Sequence, residues 1–214
     1  AREIAGALPK TALVSDVGSC KQSVATALAE ALPGQPIIPA HPVAGTENSG
    51  PDAGFATLFQ NRWCIITPPE QTDLLLLTGL VAFWEALGAD VEIMTAPHHD
   101  LVLAVTSHLP HLIAYTIVGT ASDLEDVTQS EVIKYSAGGF RDFTRIAASD
   151  PTMWRDVFLS NREAVLEMLQ RFTEDLTALQ RSIRVGDGDA LFAHFARTRD
   201  IRRSIIAEGQ DDAR

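Results

Sequence analysis

Thr11-Ala12-Leu13-Val14-Ser15-Asp16-Val17-Gly18-Ser19 is an apolar run that ends in a glycine turn, and its reading decides the fold. An uninterrupted apolar stretch of this length suits a strand covered on both faces, as in the middle of a layered α/β sheet. Ser23 to Leu32 then reads as a helix stopped by Pro33-Gly34, and Pro36-Ile37-Ile38-Pro39 as a second strand that carries His41-Pro42 at its carboxyl end. Strand, helix, strand is the repeating unit of an open α/β sheet. Downstream, Asn61 to Thr67 and Asp90 to Thr95 read as further strands, separated by an apolar helix from about Glu70 to Leu87 that closes at Gly88. Upstream, Ala1 to Leu8 reads as part of a short helix ending before Pro9.

Past Ala96 the pattern changes from alternating strands and helices to helical spacing alone. Trp154, Val157, Phe158, Val165, Leu169, Phe172, Leu176, Leu179 and Ile183 draw an apolar stripe along one long helix or two in succession. Such a stripe is core by default, and at this length it suits packing against a second copy of the chain. The expected organisation is therefore an α/β part over residues 1–95 and an all-helical, dimerising part over residues 96–214. Leu101 to Ala121 is nearly long enough to span a bilayer, but Ser107-His108-Leu109-Pro110-His111 interrupts it. Two imidazoles and a proline halfway along favour a buried helix with polar groups facing a site. The Glu208 to Arg214 tail is polar and is expected to fray.

Of the 214 residues, 46% are hydrophobic and 21% charged, the balance of an ordinary globular chain. A formal charge of -11 argues against a general electrostatic hold on nucleic acid or an anionic membrane, both of which need a basic surface. An anionic small substrate would need a local basic pocket. The two cysteines, Cys20 and Cys64, have no metal-type spacing and make no disulfide framework, which suits a reducing, cytoplasmic setting.

Three segments carry groups able to do chemistry. His41-Pro42-Val43-Ala44-Gly45-Thr46-Glu47-Asn48-Ser49-Gly50 follows a predicted strand, where open α/β sheets place ligands, and a neutral imidazole there can accept a proton near pH 7. Ser107 to His111 puts two histidines three apart, on one helix face. They could ligate a metal, but with no acidic or thiol partner at matching spacing, substrate hydrogen bonding or a satisfied core pair is the better reading. Ser136-Ala137-Gly138-Gly139-Phe140-Arg141-Asp142-Phe143-Thr144-Arg145, continuing to Asp150-Pro151-Thr152-Met153-Trp154-Arg155, interleaves arginines with acids. It reads equally as a solvated, ion-paired face and as an arginine raised to grip a carboxylate.

Asp16-Val17-Gly18-Ser19-Cys20-Lys21, His41 to Gly50, Ser107 to His111 and Gly139 to Trp154 occur in the order and approximate spacing of the prephenate/arogenate dehydrogenases, and over nearly its whole length the chain resembles that family. Together, with Gly-Gly-Phe-Arg-Asp-Phe-Thr-Arg-Ile-Ala among them, the four motifs are specific. The resemblance implies the second half of a Rossmann-like dinucleotide-binding domain, then a helical dimerisation domain through which a homodimer forms. It implies oxidative decarboxylation of prephenate or arogenate with hydride transfer to NAD or NADP, as a step of tyrosine biosynthesis. By the same resemblance His41 accepts the ring hydroxyl proton, Ser19 assists, Arg145 binds a substrate carboxylate and His111 is a further substrate contact. Thr46, Glu47, Ser107, Asp142 and Trp154 surround the pocket, and Asp16, Gly18 and Ser19 border the cofactor. No metal, nucleic acid or membrane is implied.

The sequence departs from the family at its start. None of its fourteen glycines forms G-x-G-x-x-G, and Gly186-Asp187-Gly188-Asp189 reads as a turn between helices. The 214 residues by themselves are therefore expected to bind cofactor weakly or not at all. Two other readings stay open: a non-catalytic remnant that only dimerises, and another β-hydroxyacid-type dehydrogenase. The latter expects a catalytic lysine in the helical part, where Lys134 is the only lysine.

Overall fold

The computed structural model describes residues 1–45, 50–128 and 137–207. Its α/β part holds helix α1 (Gln22–Ala31), strand β1 (Ala40–Pro42), strand β2 (Trp63–Ile66), helix α2 (Leu74–Ala86) and strand β3 (Asp90–Ile93). The strands are ordered β1-β2-β3, with β1 antiparallel and β3 parallel to β2. A parallel pair needs a crossover, and α2 supplies it. Asp73 starts α2 by accepting from the Leu75 N–H, and Gly88 ends it at a φ of 88°. Ile38, Ala40, Cys64, Ile66, Leu80, Trp84 and Ala89 form the core between sheet and helix, and Phe59 packs edge-on against Trp84.

Several local expectations shift. Residues 2–7 form successive turns rather than a helix. Thr11 to Asp16 contributes one parallel bridge, Val14 with Ile37, rather than a full strand. The strand expected to begin at Pro36 pairs in two pieces, Ile37 by its bridge to Val14 and Ala40–Pro42 in the continuous ladder with β2. His41 is thus itself a strand residue, opposite Ile65.

Thr95 belongs to the following helix, whose N-terminus it caps, and not to β3. Helix α3 (Ala96–Leu103) continues through a π-turn at Ala104–His108 into helix α4 (Leu109–Thr128). Pro110 explains the π-turn: it cannot donate to the Thr106 carbonyl, and its ring crowds the preceding turn, so the helix widens there. The helix from Ala96 to Asp123 is apolar and long enough to cross a membrane, with a mean hydropathy of 1.6. It is buried on one face only. His99, Asp100, Leu103, Ala104 and His108 point into the protein, while Leu101, Val105, Ile117 and Val118 are exposed.

Helix α5 (Gly138–Thr144), a 3-10 turn (Arg145–Ala148), helix α6 (Pro151–Ser160), helix α7 (Arg162–Val185) and helix α8 (Gly188–Ala207) complete the described chain. Asp150 accepts from Met153 N and Pro151 takes the first position of α6, the usual way to start a helix. The apolar stripe therefore spans two successive helices, and the Gly186 region is a turn, with Gly186 at φ 71°. Chain contacts divide the protein into two compact units, residues 1–165 and 166–214. In the second unit Leu176, Ile183, Phe192, Phe195 and Ile201 are exposed.

Candidate active site

A cleft of about 400 Å³ in the first unit is lined by Ser19, His41, Ser107, His111, Arg145 and Trp154, among others. These six come from the turn before α1, from β1, from the π-turn and α4, from the 3-10 turn and from α6. Residues more than a hundred positions apart thus share one wall.

His41 is buried at the cleft floor, and its Nδ1 lies 2.8 Å from His99 Nε2 with the rings edge to face. His99 is fully buried, and its Nδ1 lies 2.8 Å from Asp100 Oδ1. The Asp100 carboxylate also accepts from Lys21 N at 2.8 Å and Gln22 N at 3.0 Å, the first amides of α1. A carboxylate across a helix N-terminus meets both the free N–H groups and the positive end of the helix dipole. Burial opposes charge on Asp100, but the bonds from His99, Gln22 and Lys21 outweigh it and hold its pKa below the usual carboxylate value. His41 is driven the other way. Burial first, then His99, Lys21 and His108, depress its pKa to about 3, so it stands neutral at pH 7.

A second buried set supports the opposite wall. The Asn161 amide donates to the Asp100 carbonyl at 2.7 Å and meets His108 Nδ1 at 3.1 Å. Because an amide NH2 can only donate, His108 Nδ1 accepts. Burial lowers the His108 pKa to about 4, in keeping with that role. His111 stacks on Trp154 with ring centroids 3.7 Å apart and donates through Nδ1 to the Ser107 carbonyl at 2.8 Å. The π-turn separates the two histidines: His108 goes fully into the core, whereas His111 faces the cleft. Among the described residues no group of three or more His, Cys, Asp and Glu could hold a metal ion.

Beneath Ser19 the chain is knotted by charge. Lys21 is fully buried, pairs with Asp16 and donates to the Ala40 carbonyl at 2.6 Å, next to His41. Asp16 Oδ2 also accepts from Gly18 N at 2.8 Å. A Cβ at position 18 would stand 3.0 Å from that oxygen, which is why glycine occupies the turn. The other oxygen, Asp16 Oδ1, is buried and has no hydrogen-bond partner among the described residues.

The interleaved charges of the third segment separate. Arg145 reaches the cleft, Asp150 caps α6, and Arg155 pairs with Asp156 on the surface. Asp142 is exposed on α5 and is not among the cleft-lining residues. Thr46, Glu47 and Lys134 lie outside the described residues. Sequence reading overlooked His99, Asp100 and Arg62, and quoted Lys21 only as the last residue of a family motif. The signal for the first two was ionisable residues in the second turn of an apolar helix, His98-His99-Asp100 after Thr95-Ala96-Pro97. Arg62, just before β2, lines the cleft with Arg145, and among the described residues its guanidinium has no ion-pair partner. Nothing near it in sequence announces this.

Residues 1–93 match the nucleotide-binding domain of prephenate dehydrogenase and residues 95–197 match its dimerization domain. The chain is 45% identical over 205 residues to the cyclohexadienyl dehydrogenase of Zymomonas mobilis, covering 96% of this chain and 70% of that one. Its fold is similar to the crystal structure of prephenate dehydrogenase from Aquifex aeolicus, with a TM-score of 0.88 and 34% identity over 95% of this chain and 72% of that one. A further structure of the A. aeolicus enzyme, in complex with hydroxyphenyl propionate and NAD+, is similar with a TM-score of 0.86 and 37% identity, covering 96% of this chain and 72% of that one. The chain belongs to the prephenate dehydrogenase family of NAD(P)-dependent oxidoreductases.

Proposed function

We propose that this protein oxidatively decarboxylates a cyclohexadienyl acid, prephenate or arogenate, to 4-hydroxyphenylpyruvate or tyrosine. The observation that carries the proposal is one cleft holding a neutral His41 and Ser19 beside two guanidiniums, Arg145 and Arg62. The substrate has a ring hydroxyl to deprotonate and two carboxylates to hold. Fixed guanidinium forks suit carboxylates, and they explain how a protein of net charge -11 recognises an anion locally.

His41 takes the hydroxyl proton through Nε2, the nitrogen not engaged by His99, and Ser19 bonds the same oxygen. A low basicity does not disqualify His41. The hydroxyl becomes strongly acidic as its carbon gives up hydride, so a weak base in a dry site suffices once the reaction is under way. Arg145 and Arg62 hold the carboxylates, while His111, stacked on Trp154, and Ser107 fix the ring. Loss of the ring carboxylate as carbon dioxide restores aromaticity, and that supplies the driving force.

The residues present fit a dinucleotide on the Ser19 side. Asp16 Oδ1 is a buried acceptor without a partner among the described residues, suited to an amide or hydroxyl donor. Asp16, Gly18 and Ser19 would border the bound cofactor, whose nicotinamide supplies the hydride acceptor. The A. aeolicus enzyme was captured with NAD+ and a phenol bearing a side-chain carboxylate, which supports the same pairing of ligands here. The exposed apolar residues of α7 and α8 are the dimer contact, within a cytoplasmic enzyme.

The test is reduction of NAD and NADP with prephenate and with arogenate, run on these 214 residues and on a longer chain that carries G-x-G-x-x-G. Turnover is expected in the longer chain, with little in the shorter. If His41→Asn left turnover in the longer chain unchanged, the mechanism would be wrong; no turnover with either substrate would leave the dimerising remnant.

A further inference from the structure

We propose that Asp100 and His99 form a proton relay behind His41: they set its resting tautomer and then take the positive charge that it acquires from substrate. This rests on the dehydrogenase reading of the cleft for its direction, and on three contacts for its substance. Asp100 Oδ1 to His99 Nδ1 and His99 Nε2 to His41 Nδ1 are both 2.8 Å. The third contact is the clamp on the carboxylate, which Lys21 N and Gln22 N hold at the start of α1.

Donor and acceptor counting fixes the order. An ionised carboxylate only accepts, so His99 Nδ1 carries the proton at the Asp100 contact. The His99–His41 contact needs one proton between its two nitrogens. With that proton on His41 Nδ1, His99 Nε2 accepts and His41 Nε2 keeps a lone pair, the form a base requires. All three groups are buried, so water does not compete for these bonds and each contact determines the next.

When His41 Nε2 takes the substrate proton, its Nδ1 proton moves to His99 Nε2. One N–H bond forms at each of the two acceptor nitrogens and one breaks at His41 Nδ1. His41 is again neutral, and His99 is an imidazolium beside the Asp100 carboxylate. Burial opposes charge on either ring, but among the described residues only His99 has a carboxylate in contact. The other groups facing the pair give the charge the same direction. Lys21, paired with Asp16, lies on the His41 side through its bond to Ala40, and His108, kept neutral by burial, accepts from Asn161. Reversal of the two transfers, with release of the Nε2 proton, resets the site. His99 never touches substrate and is a positioning and relay residue.

The experiment combines ¹⁵N-histidine NMR with steady-state kinetics on the chain carrying a complete nucleotide-binding domain. At pH 7 the relay requires His41 protonated at Nδ1 and bare at Nε2; the opposite tautomer overturns it whether or not the protein is active. His99→Gln offers an acceptor to His41 and a donor to Asp100 but cannot take a proton, whereas His99→Leu offers neither. For His99→Leu kcat should fall roughly 100-fold or more, within the usual range for acid–base assistance, with KM for the carboxylate substrate within about twofold. His99→Gln should keep the His41 tautomer and still lose kcat, by a smaller factor. A purely structural role for His99 would instead raise KM and leave kcat alone, which would refute the relay. Full kcat in His99→Gln would refute the transfer step. If His99→Leu does not fold, the wild-type tautomer and the Gln variant still decide. If His41→Asn keeps full turnover, it is the reading of the cleft that fails, and the tautomer measurement distinguishes that case.

Discussion

Lowering the pH from 7 toward 4 should destabilise this protein steeply, because its interior holds histidines as neutral groups. His41 and His108 have pKa values depressed from 6.5 to about 3 and about 4, in each case mainly by burial. Between 6.5 and those values the unfolded chain binds protons that the folded chain refuses, so stability falls as pH falls through that window. Each such proton is worth about 1.4 kcal/mol per pH unit, so the pair removes about 2.5 kcal/mol between pH 6 and 5. That is a large part of a typical stability of about 5–15 kcal/mol. The His111 pKa is lowered too, mainly by burial, and adds in the same direction. Asp100, whose pKa is held below the ordinary value, contributes stability that is lost only as pH falls below the carboxylate range. The assay is urea unfolding at half-unit steps from pH 7.5 to 4.5, with the slope of stability against pH read as protons taken up. His108→Leu should lower stability at neutral pH, since Asn161 loses an acceptor, and should reduce the acid slope by about one proton. A flat profile down to pH 4.5, or a slope that His108→Leu leaves unchanged, would refute the account of neutral buried imidazoles.

Arg62→Ala in the longer, cofactor-competent chain should raise KM roughly 10- to 100-fold with little change in kcat, the loss of one charged hydrogen-bonding group; an unchanged KM would remove Arg62 from substrate binding. Gly88→Ala should cost about 1–3 kcal/mol in chemical denaturation, because φ is 88° and the new Cβ would meet Gln60 Cγ at 2.9 Å; a neutral effect would show that this turn adapts freely. Phe192→Glu should weaken self-association in sedimentation without loss of helicity, since Phe192 is 73% exposed in the single chain; an undisturbed dimer would move the contact elsewhere.

Local patterns were informative wherever a local cause acts. The end of α2 at Gly88 was legible because a left-handed glycine depends on a residue and its near neighbours, whereas its start, expected near Glu70, falls after the Asp73 cap. Pattern fell short in the run at residues 36–39, where Ile37 makes one bridge, with Val14, and the continuous ladder begins only at Ala40. It failed again at Ser107 to His111, where helical spacing put both histidines on one face and the π-turn before Pro110 sent them to different environments.

The candidate site divides along the same line. His41, Ser19, His111, Ser107, Arg145 and Trp154 were named through the resemblance to the prephenate/arogenate dehydrogenases, since local pattern alone left the Arg145 segment open between an ion-paired face and a carboxylate grip. Local sequence also determined the succession of α/β elements and then helices, and the apolar stripe on α6 and α7. Only the folded chain could assign the inner layer: His99 to His41 across 58 residues, Asp100 to the first amides of α1 across 79, and Arg62 into a cleft with Arg145. The physical reason is that periodicity and caps are set by a few neighbouring dihedral angles. A buried polar network is set by which elements pack together, and each ionisable group's state then follows from whatever that packing leaves beside it.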